Sequence, residues 1–146
     1  MTSRQPDRRS SAARKAGYLA AIVVNAILWV VVNVRPGWRE APFLTEGFVD
    51  VVWLINLSLL AGVAVNAVYL FFDPAWFTSI GQIGVSVIGL VASLRALTVF
   101  PFDFSAYAFD WALVARVLLY IGVFGSIVSI IVELVRLTAR GIRAAT

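Results

Sequence analysis

Two arginines and three aspartates are the residues in this chain best suited by type and placement to recognise a ligand. Arg95 and Arg116 fall inside long apolar stretches, and Asp50, Asp103 and Asp110 border the same stretches. A guanidinium carries five N–H donors in a planar fork and pairs well with carboxylates or phosphates. Gathered into one polar patch, these five side chains would suit a partner subunit, lipid headgroups or an anionic ligand. Arg95 and Arg116 are expected to point away from the seam between the helices that carry them. A stem that snorkels toward the surface, with Asp103 or Asp110 as counter-ion, is the plainer expectation for each.

Other chemistries find little support. The sequence has no cysteine and no histidine, and its only methionine is Met1. Thiolate and imidazole ligands are therefore absent, and with them the common zinc, iron–sulfur and haem sites. A serine–lysine pair would have to use Lys15, the single lysine, which lies in a basic leader. No cofactor or metal is expected, and the chain does not read as an enzyme.

A second set of polar residues has the spacing of helix clasps. In an antiparallel helix pair, a step forward on one helix matches a step back on the other. That arithmetic sets Asn25 against Asn66 and Asn33 against Asn56 in a first pair of helices. In a second pair it sets Gln82 against Ser129 and Ser86 against Ser126. A side-chain amide in hydrocarbon needs a partner, and such interhelical bonds average about 0.6 kcal/mol. Small residues share the same faces: Gly62 lies four before Asn66, and Gly122 and Gly125 precede Ser126. They would let backbones approach closely. Glu133 and Arg136, three positions apart, are spaced for a local ion pair.

The elements that must position these residues follow from hydrophobicity. Of 146 residues, 61% are hydrophobic and 14% charged, against about 45–50% and about 25% in soluble domains. Four apolar stretches, residues 17–34, 51–72, 77–100 and 111–137, reach the roughly 20 residues a spanning helix needs. The expected fold is an all-α integral membrane protein, with four transmembrane helices arranged as two antiparallel hairpins in one domain covering residues 16–138. The first stretch is longer than a signal-peptide core and lacks a small-residue cleavage pattern, so it reads as a retained helix.

The net charge of +4 collects toward the ends. Arg4, Arg8, Arg9, Arg14 and Lys15 fall in residues 1–15, read as a disordered basic tail, while Arg140 and Arg143 fall in a second basic tail, residues 139–146. Basic flanks collect on the cytoplasmic side, and an even number of spans returns the chain to its starting side. Both termini are thus expected in the cytoplasm, with the protein in the cell (inner) membrane. The basic residues suit anionic headgroups of the lipid bilayer rather than nucleic acid.

Pro36-Gly37 and Pro101 end the first and third helices, and Asp73-Pro74 makes the short turn after the second. Aromatic rings crowd residues 100–111 at interface depth. A faint repeat at an offset of 60 residues pairs Arg35 with Arg95, Asp50 with Asp110 and Gly62 with Gly122. The expected function is that of a small non-catalytic scaffold or accessory subunit, with a protein partner or a homo-oligomer. The alternative is an oligomeric transporter or channel subunit whose path uses the asparagines.

Overall fold

The computed structural model describes residues 8–145, which form four long helices: α1 (Arg8–Asn33), α2 (Val49–Phe71), α3 (Ala75–Val99) and α4 (Trp111–Ala145). They contain 26, 23, 25 and 35 residues respectively. All four are long and apolar enough to cross a membrane. At 1.5 Å per residue even α2 exceeds the ~30 Å of a hydrocarbon core.

The helices α1, α2 and α3 stop where the sequence removes the means to continue. After Asn33 the last turn of α1 closes through Val34 N–H on Val30 O (2.8 Å) and Gly37 N–H on Val31 O (2.9 Å). Gly37 sits at φ 81, a conformation open to glycine without steric penalty. Pro74 takes an extended conformation just before α3, and its carbonyl accepts from Phe77 and Thr78 at 3.0 and 3.1 Å. The C-cap of α3 is Phe100, left-handed at φ 41, followed by the fully buried Pro101.

The expectation of a disordered tail over residues 1–15 is corrected over its described part. Residues 8–15 belong to α1 and are not a disordered tail, and α4 continues through residues 139–145. Alanine and arginine are strong helix formers. Extending an existing helix also avoids the cost of nucleation. Residues 1–7 and 146 lie outside the described residues. The loop expected over residues 35–50 carries two 3-10 turns, Trp38–Glu40 and Glu46–Phe48, and α2 begins at Val49.

The helices pack in chain order, α1 on α2, α2 on α3 and α3 on α4, while α1 and α4 share no packed seam. Along the α3–α4 seam, Arg140 meets Ser79, Ser129 meets Ser86, and Ser126 and Gly122 approach Gly89 and Ser93. Between α1 and α2, Asn33 meets Asn56 and Asn25 lies on Gly62. The two glycines linked by the 60-residue offset thus have one job: each is the floor beneath a polar side chain of the preceding helix. A Cβ on Gly62 or Gly122 would come within 3.0 Å of Asn25 or Ser93. Arg35 and Arg95 are not equivalent, since Arg35 follows the end of α1 whereas Arg95 lies inside α3.

Burial is inverted relative to a water-soluble bundle. Phe71 is 92% exposed and Phe124 66%, whereas Ser79, Ser86 and Glu133 are buried. Large apolar side chains spread over the outside of all four helices need an apolar solvent to be stable there. The apolar core is small, with Phe48, Val51, Leu54, Tyr69 and Ala96 as its buried members.

Candidate functional site

Among the described residues, the two arginines and three aspartates of the expected patch are not joined by ion pairs: none links Arg95 or Arg116 to Asp50, Asp103 or Asp110. Arg95 is exposed, as its position on α3 requires. Arg116 instead places its guanidinium over the Phe100 ring, 4.1 Å from the centroid. A cation is attracted to the negative face of an aromatic ring, so this contact braces the left-handed residue at the end of α3.

Two of the three aspartates are occupied by their own local backbone. Asp110 Oδ1 accepts the Leu113 N–H at 3.0 Å and caps α4. A carboxylate is well placed there, because the first turn of a helix has unpaired N–H groups and a positive dipole end. Asp103 Oδ1 accepts the Ser105 N–H at 2.9 Å in a local turn. The Ser105 hydroxyl first, then its backbone N–H, hold the Asp103 carboxyl below its ordinary value. Asp50 is exposed in the first turn of α2.

The region around these residues is organised by backbone pairing and rings. Thr45 N–H donates to Pro101 O (3.0 Å) and Asp103 N–H to Phe43 O (2.9 Å), so the two long loops form a short antiparallel bridge between Leu44 and Phe102. Phe43 stacks on Phe104, and Phe104 on Phe102, with centroids 5.7 and 5.9 Å apart. A cavity of about 530 Å³, lined by Phe43, Phe104, Tyr107, Trp111 and the first turns of α4, opens beside them. Its lining is almost wholly apolar, as interface aromatics should be.

The clasps divide into those made and those not. Asn33 and Asn56 exchange reciprocal amide bonds at 2.6 and 2.8 Å. Asn25 and Asn66 do not bond each other. Asn25 donates to Ala21 O (2.7 Å) and Asn66 to Gly62 O (2.8 Å), each the carbonyl one turn back on its own helix. This back-bonding satisfies the amide without a partner helix, and Asn25 then packs flat on Gly62. Gln82 does not reach Ser129. Its amide donates to Ser86 Oγ (3.4 Å), and Ser86 Oγ pairs with Ser129 Oγ (2.9 Å). Ser86 meets Ser129 rather than Ser126, so the second seam is shifted by about one helical turn from the expected register.

The side chains that do converge lie at the opposite end, beside the α2–α3 turn. A cleft of about 330 Å³ is lined by Tyr18 of α1, Asn66 and Tyr69 of α2, Thr78, Ser79 and Gln82 of α3, and Ser129, Glu133, Arg136 and Arg140 of α4. On α4 the last four residues recur at helical spacing and so share one face. Glu133, the buried residue of α4, accepts from Arg136 Nη1 at 2.6 Å. Arg140 Nη1 crosses to α3 and donates to Ala75 O (2.6 Å) and Ser79 Oγ (2.8 Å). Buried Tyr69 donates to Thr78 O (2.8 Å) and packs against Tyr18 with ring centroids 5.3 Å apart. Tyr18 in turn donates to Asp73, which also pairs with Arg14 at 3.1 Å.

This cleft joins all four helices in a mixed acid, guanidinium, amide and hydroxyl lining. It can hold a polar or anionic group where the surrounding surface is apolar. Read along the sequence, Glu133 and Arg136 suggest only a local pair. The signal that could have exposed the site is the recurrence of polar residues at 129, 133, 136 and 140, matched by 79, 82 and 86 on α3 and by 66, 69 and 73 around the end of α2. No protein-family model matches this chain, and no curated protein or solved structure matches it either.

Proposed function

We propose that the chain is a non-catalytic scaffold or accessory subunit of a complex in the cell membrane. Its spans form two antiparallel hairpins with both termini in the cytoplasm, and its long aromatic loops face outward. The observation that carries this reading is the open row of helices. α1 and α4 each pack on one neighbour and leave their remaining flanks to lipid or to another polypeptide. Small polar contacts tie the row together internally, as expected for a rigid support.

Photocrosslinkers placed on the exposed flanks at Ile27 of α1 and Val128 of α4, followed by native mass spectrometry from intact membranes, test the proposal. One stoichiometric crosslinked partner, or one dimer, is the expected product. A protein that remains monomeric with crosslinks only to lipid would sink it. A transporter or channel subunit is the second reading, favoured by the polar cleft that enters the bundle beside Glu133. Liposome flux that is unaltered by Glu133→Leu and Asn66→Leu would remove the cleft from any conduction path.

A further inference from the structure

We propose that the cleft between α1 and α4 is a binding site for the phosphate-bearing headgroup of a membrane lipid, with the phosphate held by Arg136 and Arg140. This inference does not depend on the scaffold reading.

Depth is the first reason. Arg136 lies 25 positions beyond Trp111, about 37 Å along α4 at 1.5 Å per residue. That distance exceeds a hydrocarbon core of about 30 Å, so a chain that begins its crossing at Trp111 brings Arg136 to headgroup level. The cleft therefore meets lipid phosphates at their own height in the bilayer.

Charge and donor supply are the second reason. Within the cleft lining, two guanidiniums face one carboxylate, Glu133. Each arginine has five N–H donors, and the bonds made by Arg136 to Glu133 and by Arg140 to Ala75 and Ser79 all leave from Nη1. Those bonds fix the two side chains on adjacent turns of α4, four residues apart, with the other donors directed elsewhere. Paired, pre-oriented guanidiniums favour phosphate oxygens, which accept several charge-assisted bonds at once. Glu133 has an opposing effect on the ligand: it holds Arg136 in place but lowers the net positive charge of the site.

Access is the third reason. Because α1 and α4 share no packed seam, the cleft communicates sideways with the lipid phase. A headgroup can enter while its acyl chains stay in hydrocarbon. The volume of about 330 Å³ falls in the range of about 300–1,000 Å³ typical of small-ligand pockets. Gln82, Ser79, Thr78 and Tyr18 provide hydroxyl and amide partners for the remainder of a polar headgroup.

The test uses the full chain in detergent micelles, titrated with phosphatidylglycerol and read as bound lipid per chain by native mass spectrometry. The paired variant Arg136→Gln/Arg140→Gln is expected to weaken binding by about tenfold. Arg143→Gln, a basic residue outside the cleft, should leave binding within about twofold. Glu133→Gln should tighten binding several-fold, an effect that a purely structural acid would not produce. Should the paired glutamine variant misfold, Arg136→Lys/Arg140→Lys keeps both charges, and the Glu133→Gln result decides.

A second titration with glycerol 1-phosphate separates the sources of phosphate. Arginine-dependent binding of this soluble ester, without binding of the lipid, would keep the phosphate site and reject the lipid. Equal lipid binding by the unaltered protein and the paired glutamine variant, or no tightening in Glu133→Gln, overturns the proposal.

Discussion

At the loop end of the bundle two aspartates turn back on their own backbone, whereas at the turn end an arginine, a tyrosine and a serine reach across to neighbouring helices. Asp103 and Asp110 satisfy N–H groups two and three residues on, and the loops join through main-chain bonds and stacked rings. Beside the α2–α3 turn, Arg140, Ser129, Tyr69 and Tyr18 connect different helices through side chains. The difference shows that charge near an apolar span does not by itself mark a site. What matters is whether local backbone has already satisfied it. Two of the three carboxylates that look functional in the sequence, Asp103 and Asp110, make a turn and a cap, and the one that looks like a local pair, Glu133, sits in the cleft.

The comparison can be broken most severely at the helix contacts beneath it. Gly62→Leu forces a side chain into Asn25, whose atoms would already lie 3.0–3.1 Å from a Cβ there. Overpacking of this kind costs about 1–3 kcal/mol, and steric trapping or denaturant unfolding in micelles should show destabilisation at the upper end of that range. Glu133→Ala removes a charge-assisted bond worth about 1.5–3 kcal/mol. Because the Arg136 side chain is 59% exposed, water compensates in part, and a loss of about 1.5 kcal/mol is expected. That loss should shrink in high salt.

Asp110→Ala removes the cap of α4 and should cost about 1 kcal/mol, with amide exchange faster in residues 111–114 and unchanged around the cleft. A double-mutant cycle on Asn33 and Asn56 should return a coupling of about 0.6 kcal/mol, while the same cycle on Asn25 and Asn66 should return about zero. Equal coupling in both cycles would restore the symmetric clasp and refute the back-bonded geometry. The smallest effect concerns pH. Asp103 is depressed below its ordinary 3.8 when folded, so its stabilisation is present above that value and fades as pH falls through the lower folded one. Thermal melts across this acidic window should show a small loss that Asp103→Asn lacks.

Much of this was legible in the sequence because the hydrocarbon constraint is severe. Apolar length located four spans to within a few residues, except where α1 and α4 run on past the apolar stretch into arginine- and alanine-rich chain. There the signal changes from hydrophobicity to helix propensity, which a hydropathy reading does not weigh. The Asn33–Asn56 clasp was legible because both amides lie near the ends of adjacent helices, where the connecting loop limits slippage. The α3–α4 register was not. A stripe of serines and glycines allows neighbouring registers of similar closeness, and the shift from Ser126 to Ser129 follows from how the helices dock. The cleft was the least visible feature, because its lining comes from all four helices and depends on the order in which they pack.

The unequal lengths of α3 and α4 have a mechanical consequence. With 35 residues against 25, α4 overhangs its neighbour at both ends: Arg140 still bonds Ala75, the first residue of α3, so at the turn end residues 141–145 run past it by about 7 Å at 1.5 Å per residue. That overhang is a stiff lever carrying Arg143. A small tilt of α4 within the bilayer would swing Ala145 through a larger arc than any other described point on the helix, so a distance label fixed there would report motions too slight to detect inside the bundle.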